Sequence, residues 1–288
     1  MPDRTYRTGK VRKEANVRTT PADYMFIDDA SLDSDSASRF RLSDLTPSER
    51  RSLEADLTMA ARIQQAQLPG KNFSPAGSEI GYHYAPAALV SGDYCDLIES
   101  DEGLLFLLGD VSGKGVASSM LVSHLRAIFR TLADCPLDTM IEAANRIFCQ
   151  SALAGQFATL VAGRLMPDGS VEFVSAGHLP FLHLSSAGVR SQGSTGVPLG
   201  MFSGTRPTIH RLSLDRGDSL LIYTDGLTEA RDPAGEHYDL QRVVKLATRH
   251  CWMAPSELVV ECLTDLLNFT EGAKPIDDLT LLAIRRRP

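Results

Sequence analysis

The sequence of 288 residues has no apolar stretch approaching the roughly 20 residues that a membrane-spanning helix needs. Its longest clean apolar run is Leu104 to Leu108. The N-terminus is polar and basic with no apolar signal core, so the expectation is a cytoplasmic chain with no membrane span. Cysteines are few and scattered: Cys95, Cys135, Cys149, Cys251 and Cys262 form no C-x-x-C pair. That argues against a disulfide framework or zinc site and for buried, reduced thiols. A positive excess is lacking too. Lys+Arg 29 against Asp+Glu 36 leaves −7, which excludes a protein built chiefly to coat nucleic acid or an anionic membrane. What remains is an ordinary globular composition, 43% apolar and 23% charged, long enough for a sizeable core.

Residues 1–45 carry their basic groups mostly at the start and Ser and Asp between Asp28 and Ser38, with few apolar side chains to offset ordering entropy. They read as a mobile tail or a segment that orders against a partner, with a short helix around Tyr24–Ile27 as a local alternative. Residues 46–69 read as a regulatory or linker helix. Thr46-Pro47-Ser48-Glu49 fits a capping box with Pro at the first helical position, and Pro69-Gly70 stops the run. Its stripe of Leu53, Leu57, Ala60, Ala61, Ile63 and Leu68 is thin and interrupted by Ala and Gln. A docked or coiled-coil element fits this better than a deeply buried one.

Residues 70–288 read as one domain. Short apolar strands at 80–84, 94–98 and 104–108 precede amphipathic helices over 116–132 and 137–153. Strands then follow at 157–165, 171–175, 180–184, from 189, at 209–214 and at 219–224, separated by Gly- and Asp-rich turns. Helices over 240–247 and 256–269 lead into a last strand at 279–284. Helices inserted into a long series of strands indicate an α+β layered domain.

Several aspartates sit at the ends of these apolar runs. Asp93 lies in SGDYCD, Asp110 in GDVSGKG and Asp225 in YTDG, while Asp277 and Asp278 open the last strand. Each alone is a routine turn or cap residue. If four converged within about 5 Å, each pair would repel by roughly 3 kcal/mol, on the order of 20 kcal/mol together. That exceeds the roughly 5–15 kcal/mol that stabilises a domain, so convergence requires cations or raised pKa values. All-oxygen ligands select hard divalent ions, Mg²⁺ or Mn²⁺.

The ordered set SGDYCD, GDVSGKG, FATL, SAGHLP, GVPLG, YTDGLTEA and DDLTLL closely resembles the metal-dependent PPM serine/threonine phosphatases, and within them the bacterial SpoIIE/RsbU-type branch. The preceding ARIQQAQLP resembles the helix that leads into the phosphatase domain in that branch. Departures are modest: Ser91 stands where Gly is usual, Cys95 for a common Tyr, Lys114 for a frequent His and Ser175 for a frequent Asn. None removes a carboxylate.

The resemblance implies an α/β/β/α sandwich, two mainly antiparallel sheets flanked by helices, with a centre of two or more Mn²⁺ or Mg²⁺ ions at one end. On that mapping Asp110 bridges the ions, Asp93 serves the first, Asp225 and Asp277 serve the second, and the Val111 carbonyl is a further ligand. Asp278 is a weaker candidate than Asp277. Metal-activated water would then attack phosphorus in line. No Cys is followed six positions later by Arg, so a thiol-based phosphatase arrangement is absent. Lys114 either assists phosphate binding or faces solvent. His178 could serve substrate as a general acid, but in the resembled family its motif is mainly structural. The branch implies a phosphorylated STAS-domain anti-anti-sigma protein as substrate, partner switching as the pathway, no direct contact with nucleic acid, and a homodimer through residues 46–68 as one regulatory option. The competing readings are a non-catalytic binding module (a pseudophosphatase) and a hydrolase of small phosphoesters.

Overall fold

The computed structural model describes residues 45–70, 73 and 75–287. The proposed tail, including the alternative helix at Tyr24–Ile27, lies outside the described residues except for Leu45. The chain divides into two compact units, residues 1–53 and 54–288, with the boundary inside the first helix. Among the described residues no helix is long and apolar enough to cross a membrane.

Helix α1 (Pro47–Ala66) begins with the capping box read from sequence. The Thr46 N–H donates to Glu49 Oε2 at 2.8 Å, and the Glu49 N–H donates back to Thr46 Oγ1 at 3.3 Å. Its apolar stripe is only half-buried, Met59 and Ile63 are exposed, and the one fully buried residue is polar: Gln64.

Among the described residues, ten strands form two five-stranded antiparallel sheets. One has the order β1-β10-β9-β6-β7, built from β1 (Ser78–Ala85), β10 (Leu279–Arg286), β9 (Ser219–Tyr223), β6 (Phe181–Ser185) and β7 (Gly188–Gln192). The other has the order β2-β3-β4-β5-β8, built from β2 (Asp93–Ser100), β3 (Gly103–Val111), β4 (Ala158–Leu165), β5 (Ser170–Ala176) and β8 (His210–Ser213). Helices α2 (Val116–Thr131) and α3 (Leu137–Ser151) cover the outer face of the second sheet. Helices α5 (Asp239–His250) and α6 (Pro255–Phe269) cover the first.

The reason is the apolarity of both strand faces. On β3, Leu104, Phe106 and Leu108 point into the space between the sheets, while Leu105 and Leu107 pack under α2 and α3. On β10, Leu282 and Ile284 join the inter-sheet core, and Leu281 and Ala283 face α5 and α6. Antiparallel strands buried on both faces need a helical layer on each side, so the expected α/β/β/α sandwich is the observed fold.

Candidate metal centre

The β2–β3 register sets Asp93 opposite Asp110, at the end of the ladder where the strands leave the core. Asp225 follows β9 and opens a short helix, α4 (Asp225–Thr228), which sequence patterning did not reveal. Asp277 and Asp278 precede β10, the neighbour of β9. Both sheets therefore send aspartates to one end of the sandwich. Gly226 permits the close approach: a Cβ there would lie 1.9 Å from the Asp278 carbonyl oxygen.

These groups feel one another's charge. Burial, then the charges of Asp225, Asp277 and Asp278, push the Asp110 carboxyl up to about 7, with Lys114 opposing. Burial first, with the charges of Asp110 and Asp278, holds Asp93 well above the usual carboxylate range, although the hydroxyls of Thr280 and Thr224 act against the rise. Asp225 is raised by burial, Asp277 and Glu229. Mutual elevation of this kind is the mark of negative charge in excess of its counter-charge.

Most of these side chains also have protein partners. Asp93 Oδ2 accepts from Thr224 Oγ1 at 2.9 Å and from Thr280 Oγ1 at 2.6 Å, so threonines of the first sheet hold a carboxylate of the second. Asp278 accepts the N–H groups of Ala87 and Gly92 at 2.7 and 2.8 Å, one on each oxygen. Asp277 accepts from the Lys114 ammonium at 2.8 Å, and Lys114 also donates to the Ile276 carbonyl. The Val111 N–H donates to the Gly92 carbonyl at 3.0 Å, which fixes the backbone between Asp93 and Asp110. Among the described residues no group of three or more His, Cys, Asp or Glu side chains is arranged to hold a metal ion as the side chains stand. The donors are thus gathered and of the hard-oxygen type that suits Mg²⁺ or Mn²⁺, but they point at separate partners and would have to turn to share one.

His178 is enclosed between the two sheets. It is 4% exposed, its Nε2–H donates to the Tyr223 carbonyl at 3.1 Å, and its Nδ1 accepts from Thr159 Oγ1 at 2.9 Å. Burial lowers its pKa to about 4, so the ring is neutral. Thr159 pairs with Asp110 in the β3–β4 ladder and Tyr223 lies just before Asp225, so His178 staples the two sheets behind the carboxylates. Lys114, by contrast, is at the site and its side chain is 63% exposed.

Four supporting residues escaped the sequence reading. Thr224 and Thr280 carry no signal beyond ordinary strand composition. Ser91 Oγ accepts the Asp93 N–H at 3.0 Å. Gln64 of α1 clamps Ser91 from the other side: its Nε2 donates to the Ser91 carbonyl at 2.8 Å, and its Oε1 accepts the Ser91 N–H at 2.9 Å. The Gln that interrupts the apolar stripe was the available signal, since it occupies a stripe position at helical spacing from Leu57, Ala60 and Leu68. The second acid of SGDYCD, Asp96, is fully buried and held by Arg126 and Arg130, which ties β2 to α2.

Residues 100–287 match the family model described as Stage II sporulation protein E (SpoIIE). The chain is similar to protein IcfG of Synechocystis sp., at 29% identity over 80% of this chain and 41% of that protein. It is also similar to the phosphoserine phosphatase RsbU of Bacillus subtilis, at 26% identity over 82% of this chain and 71% of RsbU. Among solved structures it resembles the RsbU and RsbW domains of Rv1364c from Mycobacterium tuberculosis, with a TM-score of 0.65 and 32% identity, covering 73% of this chain and 60% of that one. The chain thus spans well under two thirds of IcfG and 60% of the mycobacterial chain.

Proposed function

The chain belongs to the SpoIIE family, and from that membership we propose that it is a metal-dependent phosphoserine/phosphothreonine protein phosphatase. Its substrate on this reading is a phosphorylated STAS-domain anti-anti-sigma protein in a bacterial partner-switching pathway, and its place is the cytoplasm. The observation that carries the reading is the gathering of Asp93, Asp110, Asp225, Asp277 and Asp278 from both sheets, where burial and then the neighbouring carboxylates raise the pKa of Asp93, Asp110 and Asp225. The relative RsbU, itself named a phosphoserine phosphatase, supports it.

Two or more Mn²⁺ or Mg²⁺ ions would be held by Asp93, Asp110, Asp225 and Asp277. The Val111 carbonyl would be a further donor. Asp278, with both oxygens on backbone N–H groups, fits a supporting place better than a ligand. Bound divalent ions supply Lewis acidity that makes water nucleophilic at neutral pH and offsets phosphate charge. The chain's own contribution is positional. Thr224 and Thr280 orient Asp93, His178 fixes the strands that carry Asp110 and Asp225, and Lys114 brings a positive charge to the edge where a phosphate would enter. The neutral, enclosed imidazole of His178 is unsuited to protonating a leaving group. Residues 46–69 serve as a regulatory helix ahead of the catalytic domain, with dimerisation through 46–68 as its means.

The purified chain should release phosphate from a phosphorylated STAS protein with Mn²⁺ or Mg²⁺, lose that activity with chelator, and be inactive as Asp110→Asn. A folded, metal-replete protein without activity on phosphoproteins would point to the binding-module reading. Turnover confined to small esters would point to a small-phosphoester hydrolase.

A further inference from the structure

A cavity of about 740 Å³ opens beside the carboxylates and shares Lys114, Gly226 and Asp277 with them. Beyond that edge most of its exposed wall is apolar, with Ala85 of β1, Leu263 and Leu267 of α6, Ile276 of the following loop and Leu279 of β10 on it. Leu267 and Ile276 are 60% and 67% exposed and stand together on this wall, where a ligand can reach them. Arg231 and Lys274 on the lining are offset by Glu229 and Asp232, so charge there is near balance and the apolar groups set the selectivity.

The size is the second consideration. Clefts of roughly 300–1,000 Å³ enclose whole ligands, whereas a phosphoserine side chain reaching Asp110 and Asp277 has no need of α6. A phosphoester on a protein is covalently continuous with its chain, and that chain must leave the carboxylate end along some surface. The apolar cavity begins at Lys114 and Asp277, where the phosphate would lie.

We infer that this groove binds the stretch of substrate chain flanking the phosphorylated residue and selects apolar side chains there. The inference rests on the phosphatase reading above. Each well-buried apolar contact that distinguishes two substrates changes kcat/KM by roughly tenfold or more.

The test compares three substrates in Mn²⁺: p-nitrophenyl phosphate, a short phosphoserine peptide with Leu on its flanks, and the same peptide with Gly and Ser flanks. Wild-type protein should show kcat/KM about tenfold higher for the Leu peptide, carried by KM. Leu267→Arg, a change at an exposed position, should bring the two peptides within about twofold and leave p-nitrophenyl phosphate hydrolysis unchanged. Equal wild-type kcat/KM on the two peptides would overturn the inference without recourse to any variant. So would a Leu267→Arg variant that loses the same factor on all three substrates. A Leu267→Arg variant that keeps the peptide preference but changes molecular mass in light scattering would assign the groove to a second copy of this chain instead. No hydrolysis of any of the three substrates would overturn the phosphatase reading itself, and the inference with it.

Discussion

Asp110→Asn, studied in excess chelator at pH 8, should be more stable than the wild-type chain although it has lost its activity. Burial and the charges of Asp225, Asp277 and Asp278 push the Asp110 carboxyl up to about 7. An unfolded aspartate titrates near 3.9, so above pH 7 the ionised group costs the folded state roughly 4 kcal/mol. Asn removes the charge but remains a half-buried polar group, which leaves an expected gain of about 2–4 kcal/mol. For a domain of this size that raises Tm by roughly 5–10 °C.

The sign follows from proton counts. Between about pH 4 and 7 the folded wild-type chain binds more protons at this position than the unfolded chain, so its stability falls as pH rises through that window. The variant lacks this slope, and the gap between the two should close as pH approaches 4. Mn²⁺ at a hundred times its Kd adds about 2.7 kcal/mol to the wild type and less to the variant, so the gap narrows or reverses. Denaturant unfolding followed by circular dichroism at several pH values, with chelator and then with Mn²⁺, measures all of this. A variant at least 1 kcal/mol less stable than wild type in chelator at pH 8 would refute the reasoning, as would a gap indifferent to pH.

Gln64→Ala should cost roughly 2–4 kcal/mol in urea unfolding, because it leaves the N–H and C=O of the fully buried Ser91 without partners. It should also lower turnover, since Ser91 holds the Asp93 N–H; a change under about 0.5 kcal/mol would remove Gln64 from the support of the site. The pKa of His178, lowered by burial to about 4 against roughly 6.5 unfolded, gives a contribution present above pH 6.5 and lost as pH falls, about 3 kcal/mol by pH 4. The His178→Gln variant should lack that acid limb, so the difference between the two stability curves should change by about 3 kcal/mol between pH 6.5 and 4, and parallel curves would contradict it.

Local chemistry made most of the fold legible. Thr46 and Glu49 can cap a helix wherever it lies, alternation and apolar runs marked the strands, and Pro and Gly punctuated them. The boundaries of β2, β3, β10, α2 and α6 therefore lie within a few residues of those read from pattern. The short helix α4 was invisible because four residues are too few to show a period. Asp93, Asp110, Asp225 and Asp277 were legible as candidates because each carboxylate sits at a strand end, where backbone turns deliver it to a rim.

Tertiary structure alone decided how those groups meet. Pairing of β2 with β3 set Asp93 against Asp110, and packing of the second sheet against the first brought Thr224 and Thr280 onto Asp93 from positions far along the chain. The same packing enclosed His178 between Thr159 and Tyr223. It also buried Gln64 rather than the leucines of its stripe. Sequence determines which chemical groups are available and on which local element each is mounted. The dielectric around a carboxyl, its neighbours' charges and the partner of a buried amide depend on distances between segments remote in sequence, so they exist only once the sheets have packed.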